Sequence, residues 1–527
     1  MITSPSSPSP EIRTGTDAAA FLSRLPMADP VKTHPALTSF YRALCHRPLS
    51  PVEQAAVLSQ AEKALEFVQD ETSKRYLSRP LPYAGADLLL FHNSVGLWQD
   101  AADAWLAALP AEGNDSSAAA ILERALFCRG MALVAHYMAR FQIPQGLWHG
   151  FHAIYAECEK RQVATEVLRD SRGRSASCSR RYAAVLLMDL AKPYSLRSRD
   201  LAVVWRWSRL LAQLVDITLL EPGTEAPLVI DLAGDTPLAK VQANAEGPSL
   251  RRLESSDLAS HMRKLRRRLA EDIPPAELQL GEDVAPGDAV RLLSHLKHPW
   301  TQASVARPFD LGHQTGTARV VLGYDAIHFH LTGRETYPPK ESTYTLRYSR
   351  EDAERLAILG VGRKEAPATK DDAASRHSAE EWSVLEQSPG AWRLYRPGPG
   401  GRVAVGQLVA IAVGEGNAVL TRIAGLMQTA SGGVALKATR LPGIAISVAI
   451  RALGANPPPQ PIVGGFLIGT PGKDPKDTPE LVMPRGWYQK KRPVELDLTP
   501  PRQCRLDKIL FSGHDFDLVE CVAPPER

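Results

Sequence analysis

Cysteine is scarce in this chain: Cys45, Cys128, Cys158, Cys178, Cys504 and Cys521 are spread over 527 residues with no C-x-x-C pair among them. That spacing excludes a compact disulfide framework and a zinc ribbon, and it predicts reduced thiols in a cytoplasmic protein. Net charge is scarce as well. Lys and Arg number 62 against 58 Asp and Glu, a formal +4, so bulk electrostatics exclude a nucleic-acid polymer as the expected partner and any anion site has to be local. Long apolar runs are missing: residues 182–188 form one that Asp189 stops, far short of the roughly 20 needed to cross a bilayer. The first ten residues have no basic start and no apolar core, which argues against a secretory signal. No G-x-S-x-G elbow, Walker A loop, H-E-x-x-H pair or Rossmann fingerprint stands in a suitable context, so the expectation is a non-enzyme with no catalytic residue and no cofactor.

What is present is ample apolar material, 44% of the chain, enough for two or three cores at this length. The pattern changes along the chain. Residues 1–18, rich in Ser and Pro, read as a disordered tail and residues 19–225 as a helical scaffold. In the latter Leu88, Phe91, Val95, Trp98, Ala102, Trp105 and Leu109 recur at steps of three and four, one stripe of a helix. Leu201, Val204, Leu211, Val215 and Leu219 do the same, and Ile143-Pro144-Gln145-Gly146 separates two further helices. Short links of this kind make antiparallel helices. The aromatic residues Trp98, Trp105, Tyr137, Trp148, Tyr155, Trp205 and Trp207 at such spacing are expected in its core. A scaffold of this type binds protein partners.

Residues 226–363 read as a mixed α/β connection. Leu258, Met262, Leu265 and Leu269 stripe a helix whose other face carries Arg263, Lys264, Arg266, Arg267 and Arg268. A solvated face is the expectation there, with an acidic membrane surface as the functional alternative. Asp283 to Leu296 reads as a short helix, ended by His298-Pro299-Trp300. Residues 317–331 read as a strand leading into a strand or short helix. Its His328 and His330, with His313, lack a supporting carboxylate or cysteine, so no metal site is expected. Residues 364–379 read as a linker, 380–455 as a small antiparallel β-barrel and 456–527 as a β-rich extension. The fold class is therefore α+β, multidomain.

The passage Glu386-Gln387-Ser388-Pro389-Gly390-Ala391, with the strand pattern after it, resembles the D/N-x-S-x-x-G motif of the PilZ family of bacterial cyclic di-GMP receptors. Glutamate stands for Asp/Asn, alanine for the last glycine, and the family's R-x-x-x-R arm does not precede it. The resemblance covers about 380–452 and implies a degenerate PilZ-like barrel in a signalling regulator or adaptor, with cyclic di-GMP as ligand; the alternative expectation is a helical chaperone-like scaffold that binds protein partners without a nucleotide. The resemblance implies ligand contacts at Arg376, Glu386, Ser388, Arg393 and Arg396. Arginine suits that role because its planar fork donates two parallel hydrogen bonds to a phosphate or a guanine edge.

Overall fold

In the computed structural model the described residues are 12–111, 116–169, 173, 175–221, 229–238, 247–301, 311, 314–332, 377–453, 462–469 and 479–523. They divide into two units: Met1–Pro308 with Met427–Gly433, and Phe309–Leu426 with Val434–Arg527. The architecture is the α+β, multidomain class read from the sequence.

The first unit is helical. Its helices are α1 (Gly15–Ser23), α2 (Pro30–His46), α3 (Pro51–Leu77), α4 (Ala86–Ala107), α5 (Ser116–Ala139), α6 (Leu147–Lys160), α7 (Cys178–Leu190), α8 (Ser198–Leu211), α9 (Ser256–Ala270) and α10 (Pro286–Thr301). Between them lie the two-residue pair β1 (Leu168–Arg169) and β2 (Ser175–Ala176), and a small sheet ordered β3-β5-β4 from β3 (Asp216–Leu219), β4 (Val229–Asp231) and β5 (Leu250–Glu254). Starts are set by side chains. Thr14 and Asp17 form a reciprocal capping box that begins α1 inside the stretch read as a tail, satisfying amides a bare helix end leaves unpaired. Asp29 caps α2 ahead of Pro30, and Ser177 caps α7. Gly146, at φ +87°, makes the left-handed step that opens α6.

The stripes behave largely as read. Phe91, Val95, Trp98, Ala102 and Trp105 of α4 are buried, and α9 buries Leu258, Met262, Leu265 and Leu269 with Arg263, Lys264, Arg267 and Arg268 exposed. Two expectations fail. The Leu201–Leu219 pattern is not one helix: α8 ends at Leu211, and Ile217 and Thr218 continue as β3 against β5, where β-branched residues pack well. Nor does α10 stop at Leu296; it runs on through His298 and carries Pro299 in its last turn, and buried Trp300 donates its indole N–H to the Leu187 carbonyl at 2.8 Å. α7 is apolar nearly all round and central, burying Cys178, Tyr182 through Met188, and Leu190. The segment Met427–Gly433 belongs to this unit through Gln428, whose side chain brackets the Tyr83 backbone: it accepts from the amide at 2.7 Å and donates to the carbonyl at 3.0 Å.

The second unit holds two closed six-stranded antiparallel barrels. One is ordered β10-β11-β8-β7-β6-β9, from β6 (Gly316–Leu322), β7 (Glu380–Ser388), β8 (Ala391–Arg396), β9 (Leu408–Val413), β10 (Val419–Gln428) and β11 (Val434–Arg440). The other is ordered β12-β13-β14-β17-β16-β15, from β12 (Ile444–Ala452), β13 (Val463–Gly469), β14 (Glu480–Pro484), β15 (Pro493–Leu496), β16 (Arg502–Ser512) and β17 (Phe516–Val522). Strand membership differs from the 380–455 segment: β6 lies before the linker yet joins the first barrel, and β12 joins the second. Closure removes the exposed edges that would otherwise invite aggregation. After β6, Gly323 at φ +88° turns the chain into α11 (Tyr324–Thr332). Tyr324 stacks on Phe466 and Ile327 joins a core shared by both barrels.

Candidate functional site

Glu386, Ser388 and Arg393 come together on the β7–β8 hairpin. Its turn is Pro389-Gly390, and Gly390 takes φ +86°, a conformation costly for residues with a Cβ. A register shift between Val384 and Glu386 puts Glu386 opposite Arg393, and their charges meet at 3.4 Å. Lys437 is the partner of Arg393 on the other side. Residues directly paired across strands share a face, so Glu386, Arg393 and Lys437 form one row across three strands. Ser388 is exposed, its hydroxyl donating at 3.4 Å to the Ala391 carbonyl. The row presents two cations and one carboxylate.

Arg396 is elsewhere. Trp392, Leu394 and Arg396 are buried while Arg393 and Tyr395 are half-buried, as strand alternation requires. The Arg396 guanidinium bonds to Glu380, donates to the carbonyls of Gly398 (3.2 Å) and Gly401 (3.1 Å), and lies 4.8 Å from the Trp382 ring centroid. Glu380 also accepts from the Gly401 amide. The Gly398–Gly401 stretch is thereby closed around Arg396, and a Cβ on Gly400 would come within 2.4 Å of that guanidinium. Arg376 and His313 lie outside the described residues. His328 and His330 point to separate partners: His328 to the Ser447 hydroxyl at 2.6 Å and His330 to the His377 carbonyl at 2.8 Å.

A second constellation, unforeseen in the sequence, lies in the helical unit. A cleft of about 330 Å³ opens between α5, α7 and α8, lined by Arg180 and Arg181 from the first turn of α7, Arg206 and Arg209 from α8, and the rings of Phe127 and Trp205. Gln213 and Gln279 supply amides at its edge, and no carboxylate lines it among the described residues. Arg180 donates to Ser175 Oγ at 3.0 Å. Arg181 lies 4.9 Å over the Phe127 ring and donates to Glu123 at 2.6 Å. Arg206 is held by Asp283 at 2.8 Å and the Leu280 carbonyl at 3.3 Å, which holds the Asp283 carboxyl below its ordinary range. Arg209 lies 5.8 Å over Trp205. Gly130 forms part of the lining where α5 meets α7; a Cβ there would stand 3.0 Å from Val185 and 3.2 Å from Phe151.

Guanidiniums, amides and partly exposed rings bind planar anions: the fork reads phosphate oxygens, and arginine and aromatic faces stack on flat rings. The sequence reading assigned Trp205 to the core with Trp207. Trp207 is there, its indole N–H bonded to the Leu280 carbonyl at 2.8 Å, whereas Trp205 is half-buried at the cleft. The signal available in the sequence was Trp205-Arg206-x-x-Arg209, with Trp205 and Arg209 spaced to meet on one helix face.

Comparison with known proteins points to the same unit. A family model described as the N-terminal domain of the cyclic-di-GMP receptor FimW matches residues 16–223. The cyclic-di-GMP receptor FimW of Pseudomonas aeruginosa is 25% identical over 202 residues, covering 37% of this chain and 32% of that protein. The chain therefore aligns with about a third of the length of the curated relative it matches. No solved structure matches. The matched span is the helical region, whereas the resemblance read from the sequence lies in the barrel.

Proposed function

We propose that this protein is a non-enzymatic signalling regulator that binds cyclic di-GMP and passes the signal to protein partners through its helical region. The observation that carries the proposal is the match of residues 16–223 to the N-terminal domain of a cyclic di-GMP receptor. Two surfaces have chemistry suited to the ligand. One is the β7–β8 hairpin, where Ser388, Arg393 and Glu386 stand in a PilZ-like barrel, with Arg376 as an added contact and Arg396 bracing the strand from inside. The other is the arginine-lined cleft. No catalytic step is required of either: a ligand regulates by binding one conformation more tightly than another.

Isothermal calorimetry on the full chain with cyclic di-GMP tests the reading. The expected result is a saturable isotherm at micromolar ligand. Absence of binding at about 100 μM, equivalent to about −5.5 kcal/mol, at two temperatures and by a second method such as equilibrium dialysis, refutes it.

A further inference from the structure

We infer that the arginine-lined cleft of the helical unit, and not the barrel hairpin, seats the dinucleotide, taking one guanine nucleotide half between Arg180 and Arg209. The inference rests on the cyclic di-GMP reading and assigns its site.

Size comes first. The cleft volume of about 330 Å³ lies at the lower end of the roughly 300–1,000 Å³ usual for small-molecule pockets. That suits a base, a ribose and a phosphate rather than a whole dinucleotide, so the second half extends past the mouth. Each half of the ligand carries one phosphodiester anion, and the cleft wall carries four guanidiniums against two carboxylates, Glu123 and Asp283, which hold Arg181 and Arg206 from behind the lining. Guanine presents two acceptors, O6 and N7, on one edge, and an arginine fork reads that pair with two bonds. The guanidiniums of Arg209 and Arg181 already lie over the rings of Trp205 and Phe127, so planar groups at the wall continue a stack. The carbonyl oxygens of Gln213 and Gln279 can accept from the guanine N1–H and amino group.

The wall is also built rather than incidental. Gln279 holds φ +60°, an unfavourable conformation for a residue with a Cβ, and costly conformations concentrate where structure serves binding. Two residues on, Gly281 at φ +114° leaves room for Arg206: a Cβ there would stand 2.4 Å from its guanidinium. Arg206 is thus fixed across that loop by Asp283 and Leu280. The hairpin row offers fewer cations to an anion: Arg393 and Lys437 against the Glu386 carboxylate, where the cleft has four guanidiniums against Glu123 and Asp283.

The test is calorimetry on the full chain with cyclic di-GMP and, as a base control of equal charge, cyclic di-AMP. The variants are R180Q, R209Q, their double variant, and R393A. Each is accepted only with an unchanged circular dichroism spectrum; R180K and R209K replace a glutamine variant that fails to fold. The expected result is a loss of at least tenfold in cyclic di-GMP affinity in R180Q/R209Q, a change under twofold in R393A, and at least tenfold weaker cyclic di-AMP binding by the unmodified chain. Affinity unchanged in R180Q/R209Q, or lost in R393A alone, overturns the inference and leaves the receptor reading standing. Equal affinity for both dinucleotides also overturns it. No binding by the unmodified chain removes the receptor reading itself and the inference with it.

Discussion

Replacing Arg396 by methionine separates a brace from a ligand contact. The substitution keeps most of the side-chain volume and removes the charge, together with the bonds to Glu380, Gly398 and Gly401. Breaking a buried ion pair by removing one partner costs roughly 3–5 kcal/mol, because the other charge stays behind without compensation. Glu380 retains 25% side-chain exposure and the Gly401 amide and Trp382 indole as donors, so part of its charge remains solvated. Screening by water at such a site lowers the figure, and about 2–3 kcal/mol is expected. At 1.4 kcal/mol per factor of ten, that accelerates local opening roughly 30- to 140-fold. Hydrogen exchange with mass spectrometry on peptides covering 380–403 reads this directly. Replacing both Glu380 and Arg396 by methionine is expected to cost less than R396M alone, since no charge is then stranded. Exchange in R396M within fivefold of the unmodified chain would refute the reasoning and return Arg396 to the ligand contacts.

Three further outcomes are expected. Q428A deprives the buried Tyr83 amide and carbonyl of their partner, which at about 1–3 kcal/mol per stranded group costs about 2–6 kcal/mol; a melting temperature within a degree of the unmodified chain would contradict it. Asp189 is buried, accepts from the Tyr137 hydroxyl at 2.6 Å, and is pushed by burial from 3.8 up to about 6. Its folded value exceeds the unfolded one, so its contribution is full below pH 3.8 and is lost as pH rises through about 6, a difference of about 3 kcal/mol; D189N is expected to flatten the pH dependence of urea stability over that window, and an unchanged slope would exclude Asp189 as its source. Cys45 is half-buried with its thiol pushed up to about 11 by burial, and the other five cysteines are buried; the folded chain at pH 8 should react with less than one equivalent of Ellman's reagent within minutes, and rapid reaction of two or more thiols would contradict that burial.

Periodicity made much of the fold legible. The α4 and α9 stripes stand largely where spacing puts them, because each is decided by neighbours three or four residues away. Barrel membership is decided further off. β6 pairs with β7 across the whole 323–379 interval, and nothing local to residues 316–322 announces that partner. The handover between barrels is sharper. Gly443 adopts φ +106°, and a Cβ there would stand 2.4 Å from the Gly469 carbonyl. Pro442-Gly443 has the composition of a tight turn, yet Ile444 pairs with Gly469 of β13. A turn and a change of sheet share one composition, and only the distant partner tells them apart. On β8 the alternation was in plain view: Arg396 has the parity of Trp392 and Leu394, which is the inward parity.

The cleft was harder to see, but α8 alone carried part of it. An α-helix advances about 100° per residue. On that wheel Leu201, Val204, Trp207, Ser208 and Leu211 fill one arc, and all five are buried. Trp205, Arg209 and Arg206 follow in that order through about the next 100°. Trp205 and Trp207 therefore face nearly opposite ways, and a core that takes Trp207 cannot take Trp205 by the same face. A large ring placed at the edge of the buried arc and followed by two guanidiniums gains little by burial in the bundle, since the cations beside it have to stay near water or meet anions. What the wheel does not contain is Arg180 and Arg181, which arrive from the first turn of α7 only when α7 packs as the central helix. The site is assembled by that packing, so its α8 half is readable from sequence spacing and its α7 half only from the fold.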